Sequence, residues 1–173
     1  MNKRALIISD SHGKNDDVKA VVEQAGHIDM LIHLGDIERG PEYIRSLVDC
    51  PVHMVAGNND YNIHLPATDE FEFDGHKIFI VHGHQFYVNA GIGRLQEYAI
   101  KNGYEVAMYG HTHVPFLDEG ELVTILNPGS ISYPRQEGRD HTFMIMQTDK
   151  NNKLHFSFGK LQSSLRDVYR GFY

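Results

Sequence analysis

The chain has 173 residues, a formal net charge of −7 and one cysteine, with the apolar content of an ordinary globular protein. That length buries a sizeable core without staples, and a lone Cys50 excludes an intramolecular disulfide. The acidic balance disfavours a broad nucleic-acid surface, although local cations leave nucleic acid open, and no run is long enough to span a membrane. We read residues 1–173 as one domain of a cytoplasmic protein with no membrane partner and an oligomeric state left open.

In chain order, "RALIIS" reads as a buried strand ended by the turn "DSHGKND". Residues 16–25 place Val18, Val21, Val22 and Ala25 at helical spacing, with Asn15 or Asp16 as N-cap and Gly26 as terminator. "MLIHL" is a second strand. Pro41 then opens a helix whose inner face is Ile44, Leu47 and Val48, and "VHMVA" is the third strand. This alternation implies parallel pairing with right-handed crossovers. "EFEFDGHKIFIVH" changes the rhythm to a hairpin turned at Asp74–Gly75. A third helix carries Ile92, Leu95, Tyr98 and Ala99 inward and ends at Gly103; "VAMY", "ELVTILN", "HTFMIMQT" and "KLHFSF" are further strands. The tail, 161–173, fits a short packed helix or a frayed end. The fold class predicted is α/β: a layered sandwich of two mixed sheets flanked by helices.

Five apolar runs end in polar loops: "DSH", "GD", "GNND", "HGH" and "GHTH". In α/β sheets, ligands collect beyond the carboxyl ends of the strands, so these loops share an edge. Singly, each motif is common turn chemistry or a hydrogen-bonded histidine. Together they bring Asp10, His12, Asp36, Asn58, His82, His111 and His113 to one place. Carboxylate, amide oxygen and imidazole suit Mn, Fe, Co, Ni or Zn better than Mg or Ca, and the absence of thiolate argues against a structural zinc knot. Seven ligands exceed what one ion needs. Two divalent ions roughly 3.5–4 Å apart form a clamp for displacement at phosphorus, with Asp36 the candidate bridge.

The same motifs, in this order over about residues 5–135, resemble the calcineurin-like metallophosphoesterase superfamily, and in size its small bacterial and archaeal phosphodiesterase branch. The resemblance implies that Asp10, His12, Asp36 and His113 hold one ion and Asp36, Asn58, His82 and His111 the other. Manganese is the leading choice of metal, and a hydroxide between the ions attacks phosphorus in line. It also implies that Asn127–Ser130, "NPGS", supports the site. Asn59 stands where many larger relatives carry a histidine; an amide binds phosphate but delivers no proton, which favours diesters with good leaving groups. His84 is the alternative acid. Asn59 and His84 are therefore the candidate catalytic residues beside the metal ligands, and a small phosphate ester is the expected partner. The competing readings are a phosphomonoesterase or nucleotide pyrophosphatase on the same site, and a retromer-type scaffold without catalysis. His33 reads as packing, and Arg39, Arg94, Arg135 and Arg139 as solvated cations, with Arg135 the most tempting phosphate clamp. Tyr61 and Phe86, beside the motifs, read as packing aromatics, with stacking on a base or aryl group as the alternative.

Overall fold

A computed structural model describes residues 2–162. The order of elements is β1 (Arg4–Ile8), α1 (Asn15–Ala25), β2 (Met30–His33), α2 (Pro41–Ser46), β3 (Val52–Met54), β4 (Thr68–Phe73), β5 (His76–Val81), α3 (Gly93–Asn102), β6 (Val106–Met108), β7 (Pro115–Glu119), β8 (Thr124–Pro128), β9 (Thr142–Thr148) and β10 (Leu154–Lys160). Two single turns of 3₁₀ helix, His84–Phe86 and Val88–Ala90, lie between β5 and α3.

The strands form two five-stranded mixed sheets, ordered β10-β9-β1-β2-β3 and β4-β5-β6-β8-β7. In the first, β1 pairs in parallel with β2, β2 with β3, and β1 runs antiparallel to β9. In the second, β5, β6 and β8 are parallel, while the hairpin partners β4 and β7 run the other way. The parallel strands are buried on both faces, which is why their sequences are apolar runs without polar alternation.

Alternate residues of β1 divide two cores. Leu6 and Ile8 point towards α1 and α2, where they join Val18, Val21, Leu31 and Ile44. Ala5 and Ile7 point between the sheets, against Ile32, Ile78, Ile80, Met108, Leu126 and Met144. A third core seats Leu95 and Ala99 of α3 on Phe79, Val81, Ala107 and Ile125. The layers are helix, sheet, sheet, helix. Each fully buried aliphatic side chain contributes about 1.5–3 kcal/mol, so these layers hold the strand ends firmly in register.

Several sequence expectations are met in detail. Asp74 and Gly75, at φ 52° and 88°, turn the β4–β5 hairpin, and Gly26 ends α1 by donating to the carbonyls of Val22 and Glu23. Others need correction. Helix α1 begins after Lys14 and has no side-chain cap, so neither Asn15 nor Asp16 serves as one. Helix α2 stops at Ser46, so Leu47 and Val48 pack beyond its end. Tyr98 is 38% exposed because its ring lies along Phe79 and Tyr104 at the rim of the core. Strand β7, "PFLDE", carries no apolar alternation to mark it; it exists because β8 offers an open edge. Cys50 is half-buried, and burial pushes its thiol pKa up, as suits an inert thiol. The expectation for the tail falls on residues 163–173, which lie outside the described residues.

Candidate metal centre

The loops after β1 and β2 are laced together as an extension of their parallel pairing. Asp10 N–H donates to the Gly35 carbonyl (3.0 Å), His12 to Asp36 (2.9 Å) and Gly13 to Ile37 (2.8 Å). The second sheet contributes through Gly110 N–H, which donates to the His82 carbonyl at 2.9 Å. Ile131 N–H reaches the Ser9 carbonyl at 3.1 Å and links the two sheets at this edge. Glycine is required where loops cross: a Cβ on Gly57 would sit 2.1 Å from Asp36 Oδ1, and one on Gly35 2.7 Å from His82 Nδ1.

Asp10, His12, Asp36, His111 and His113 all have positive φ, between 46° and 66°. For residues with a Cβ this left-handed conformation is unfavourable and rarely adopted. Five cases at one edge concentrate backbone strain where the chemistry-bearing side chains converge, the pattern expected of a functional site.

One ligand atom from each of Asp10, His12, Asp36 and His113 falls within a sphere of mutual distances of 4.8 Å. Asp10 is fully buried. Its Oδ2 accepts from Ser9 Oγ (2.6 Å) and from His111 N–H (3.1 Å), whereas its Oδ1 has no hydrogen-bond partner. That oxygen lies 3.1 Å from His113 Nε2 and 3.9 Å from the Nε2 atoms of His12 and His82. The imidazoles are oriented by their other nitrogens. His82 Nδ1–H donates to the Leu34 carbonyl (2.7 Å), His113 Nδ1–H to the Tyr133 carbonyl (2.7 Å) and His12 Nδ1–H to Glu38 Oε1 (2.5 Å). In the neutral rings the Nε2 lone pairs must therefore face inward. His12 Nε2 and His113 Nε2 stand 3.2 Å apart, and His82 Nε2 is 3.1 Å from Asn58 Oδ1. Acceptors aimed at acceptors around an orphaned carboxylate oxygen call for a cation at their centre, and the donor set fits a divalent metal.

The electrostatics agree. Burial works against ionised Asp10, but the close approach of His113 and the charge of His82 outweigh it and lower its pKa. Asp36 is lowered as well; burial opposes ionisation there too, and His82 and the two donors of Asn59 prevail. His82 is displaced upward, because the Asp36 and Asp10 carboxylates overcome burial. Without metal, a proton on His82 supplies part of the missing positive charge.

A family model described as the calcineurin-like phosphoesterase superfamily domain matches residues 4–151. The chain belongs to this superfamily. Among its relatives, a probable metallophosphoesterase of Methanocaldococcus jannaschii is 35% identical over 133 residues, 75% of this chain and 68% of that one. A protein named a phosphodiesterase from the same organism is 31% identical, covering 71% of this chain and 81% of its own. A crystal structure from Streptococcus pneumoniae, described as a predicted phosphoesterase, superposes with a TM-score of 0.81 at 30% identity, covering 96% of this chain and 91% of that one.

Within this phosphoesterase the remaining site residues are placed as follows. Asn58 and His82 border the four-residue group, with His82 Nε2 3.4 Å from Asp36 Oδ2. His111 sits at the rim; its ring contacts His82 at 5.2 Å, and its Nε2 accepts from Asn89 Nδ2 at 2.9 Å. Asn59 is turned onto Asp36, donating its backbone N–H to Oδ1 (2.9 Å) and its side-chain amide to Oδ2 (2.7 Å). His84 lies beside His82 and His111; its Nδ1 is buried without a hydrogen-bond partner, and burial and the charge of His82 lower its pKa. His33 is fully buried, accepts from Gly35 N–H at Nδ1 and donates to Ser11 Oγ, and so packs the loops as expected.

The "NPGS" loop braces the site: Asn127 donates to the Gly110 carbonyl (2.8 Å) and Thr112 Oγ1 (3.0 Å), and Ser130 Oγ donates to the Asp10 carbonyl (2.8 Å). Three contributors escaped the sequence reading. Glu38 orients His12, Asn89 holds His111, and Asp60 accepts from the N–H groups of Ile37, Glu38 and Gly57 at 3.3, 2.6 and 2.8 Å. Of these, Asp60 had a legible cue in its place at the end of "GNND", but a loop aspartate carries no mark of which backbone it will hold. Tyr61 is 85% exposed, Phe86 packs against Phe79 and Tyr98, and Arg94 lies over the Tyr87 ring.

Proposed function

We propose that this phosphoesterase is a dinuclear metal-dependent phosphodiesterase acting on a small phosphate ester in the cytoplasm. The observation that carries the reading is Asp10 Oδ1, buried and unpartnered, facing inward-directed imidazole nitrogens. Asp10, His12, Asp36 and His113 would hold one ion; Asp36, Asn58, His82 and His111 would hold the second. Divalent ions held there, manganese first among the candidates, would supply charge to the phosphoryl oxygens and lower the pKa of a bound water. Asn59 holds both oxygens of Asp36 through two hydrogen bonds, as a carboxylate shared by two ions would need, and would offer an amide to phosphate. Beside the ligand set, and among the described residues, His84 carries a buried ring nitrogen, Nδ1, without a hydrogen-bond partner, and it is our candidate for the leaving-group proton.

Metal analysis joined to a substrate panel tests this. Two equivalents of bound metal and manganese-stimulated hydrolysis of bis(4-nitrophenyl) phosphate, well above that of alkyl monoesters, are expected. Strong turnover of alkyl monoesters would move the assignment to a phosphomonoesterase. Failure to take up metal after supplementation would favour a scaffold protein.

A further inference from the structure

Beside the metal centre opens a pocket of about 610 Å³, whose near wall includes His12, Glu38 and His113 and whose far wall includes Tyr133, Arg135 and Arg139. Its size is that of a small-molecule site. The far wall belongs to the connection from β8 to β9, which crosses from one sheet to the other. It is fastened directly to a metal-site residue: Arg135 N–H donates to the His113 carbonyl at 3.1 Å, and Tyr133 offers its own carbonyl to His113 Nδ1. Tyr133 N–H is held in turn by Ser130 Oγ at 2.7 Å. The positions of Arg135 and Tyr133 are thus set by the same hydrogen bonds that orient the ligand.

The charges on this wall are unspent. Neither Arg135 nor Arg139 forms an ion pair among the described residues. Of the acids near them in sequence, the exposed Glu137 makes no ion pair with either arginine and Asp140 is taken by Lys160 at 2.7 Å, while Glu38 of the same pocket is committed to His12. Arg139 sits at φ 47° in the exposed turn, where its N–H reaches the Gln136 carbonyl. Tyr133 leaves 46% of itself exposed, edge-on to His12 with ring centroids 5.4 Å apart, and Lys14 Nζ stands 5.9 Å from its ring. On a chain of net charge −7, Arg135 and Arg139 on the lining of this pocket and Lys14 beside its tyrosine ring are a local gathering of cations. Metal would neutralise the attacked phosphate, so the unpaired arginines of the same pocket are free for something else. Guanidinium forks match phosphate oxygens, and an exposed phenol ring gives a flat apolar face for a base.

We propose that Arg135 and Arg139 bind a second anionic group on one ester arm of the substrate. The preferred diester is then nucleotide-like: an aromatic base beside Tyr133 and a further phosphate beyond the one attacked. This rests on the phosphodiesterase reading and names the substrate class for the same site.

The test compares the 4-nitrophenyl ester of thymidine 5′-phosphate with its 3′-phosphorylated counterpart, in the manganese-loaded protein. Wild type should favour the 3′-phosphorylated ester by about tenfold or more in kcat/KM, and Arg135→Ala/Arg139→Ala should bring the ratio close to one. The Arg135→Lys/Arg139→Lys variant, which keeps charge but not the fork, should recover part of it. A binding measurement runs alongside: calorimetric titration of metal-free protein with thymidine 3′,5′-bisphosphate should show binding that the double alanine variant loses. Hydrolysis of both esters with a ratio near one in wild type, or a ratio and a bisphosphate affinity that the double alanine variant leaves intact, would overturn the anion site while the phosphodiesterase reading stands. If neither ester is hydrolysed but the bisphosphate binds through the two arginines, the anion site stands and the phosphodiesterase reading falls.

Discussion

The carboxylate of Glu38 lies 2.5 Å from Nδ1 of His12, across 26 positions of sequence. A carboxylate can only accept there, so the contact fixes the proton on Nδ1 and turns the Nε2 lone pair towards Asp10, Asp36 and His113. Glu38→Gln leaves the ring free to flip or to reverse its tautomer. Metal affinity, followed by calorimetric titration, should fall about 10–100-fold while the melting temperature of the metal-free protein changes little. Unaltered affinity would show that His12 needs no such partner.

Asp36 should matter more than any one histidine, because it is the candidate bridge and is held by Asn59 and His82 together. Asp36→Asn should remove both equivalents of metal and lower turnover by more than about 100-fold, whereas His12→Asn or His113→Asn should leave part of one equivalent. The check is metal content by elemental analysis beside kcat on bis(4-nitrophenyl) phosphate.

Acid should expel the metal. His82 Nε2 binds either a proton or an ion, and the Asp36 and Asp10 carboxylates, overcoming burial, raise its pKa above the ordinary 6.5 in the metal-free protein. Competition therefore begins above that value and strengthens as the pH falls. Affinity should drop by about tenfold per pH unit for each proton displaced, measured by titration across neutral pH.

Asp60 holds three backbone N–H groups from the loops after β2 and β3, and it is only 6% exposed. Asp60→Ala leaves those donors without an acceptor and should cost about 3 kcal/mol in urea unfolding, with metal affinity reduced as the loops separate. A loss of a few tenths would mean that water replaces the carboxylate.

His33 should make the metal-free protein acid-sensitive. Burial outweighs the pull of Asp10 and Asp60 and lowers its pKa from 6.5 to about 4. The unfolded chain takes up that proton at 6.5 and the folded chain only near 4. The stability linked to it is complete above 6.5 and is lost as pH falls towards 4. The loss should be about 3 kcal/mol, and urea unfolding at neutral pH and near pH 4 should show a smaller decline in His33→Gln than in wild type.

Much of this was legible because apolar strands and their terminal loops are local features. "LIISD" and "LIHLGD" announce a buried run stopped by a carboxylate, and the hairpin at Asp74–Gly75 follows from two residues able to adopt positive φ. Strand β7 and the missing caps of α1 were not legible, since an edge strand is defined by its neighbour and a cap by where the preceding loop is pulled. Arg135 in "SYPRQ" is exposed, as its reading as a solvated cation expects, but nothing nearby in sequence reveals that its N–H is held by the His113 carbonyl.

The sequence by itself determined the chemistry available: which loops end in oxygen and nitrogen donors, in what order, and on an α/β scaffold whose strand ends gather them. Only the tertiary structure decided their roles. Whether Asn59 faces a substrate or clasps Asp36, and whether Glu38 is a surface charge or the partner of His12, depends on contacts between residues 23 and 26 positions apart. Such contacts form only once β1, β2 and β3 have paired and brought their loops side by side. Side-chain identity is written residue by residue, whereas the direction in which a lone pair points is fixed by the whole set of hydrogen bonds around it.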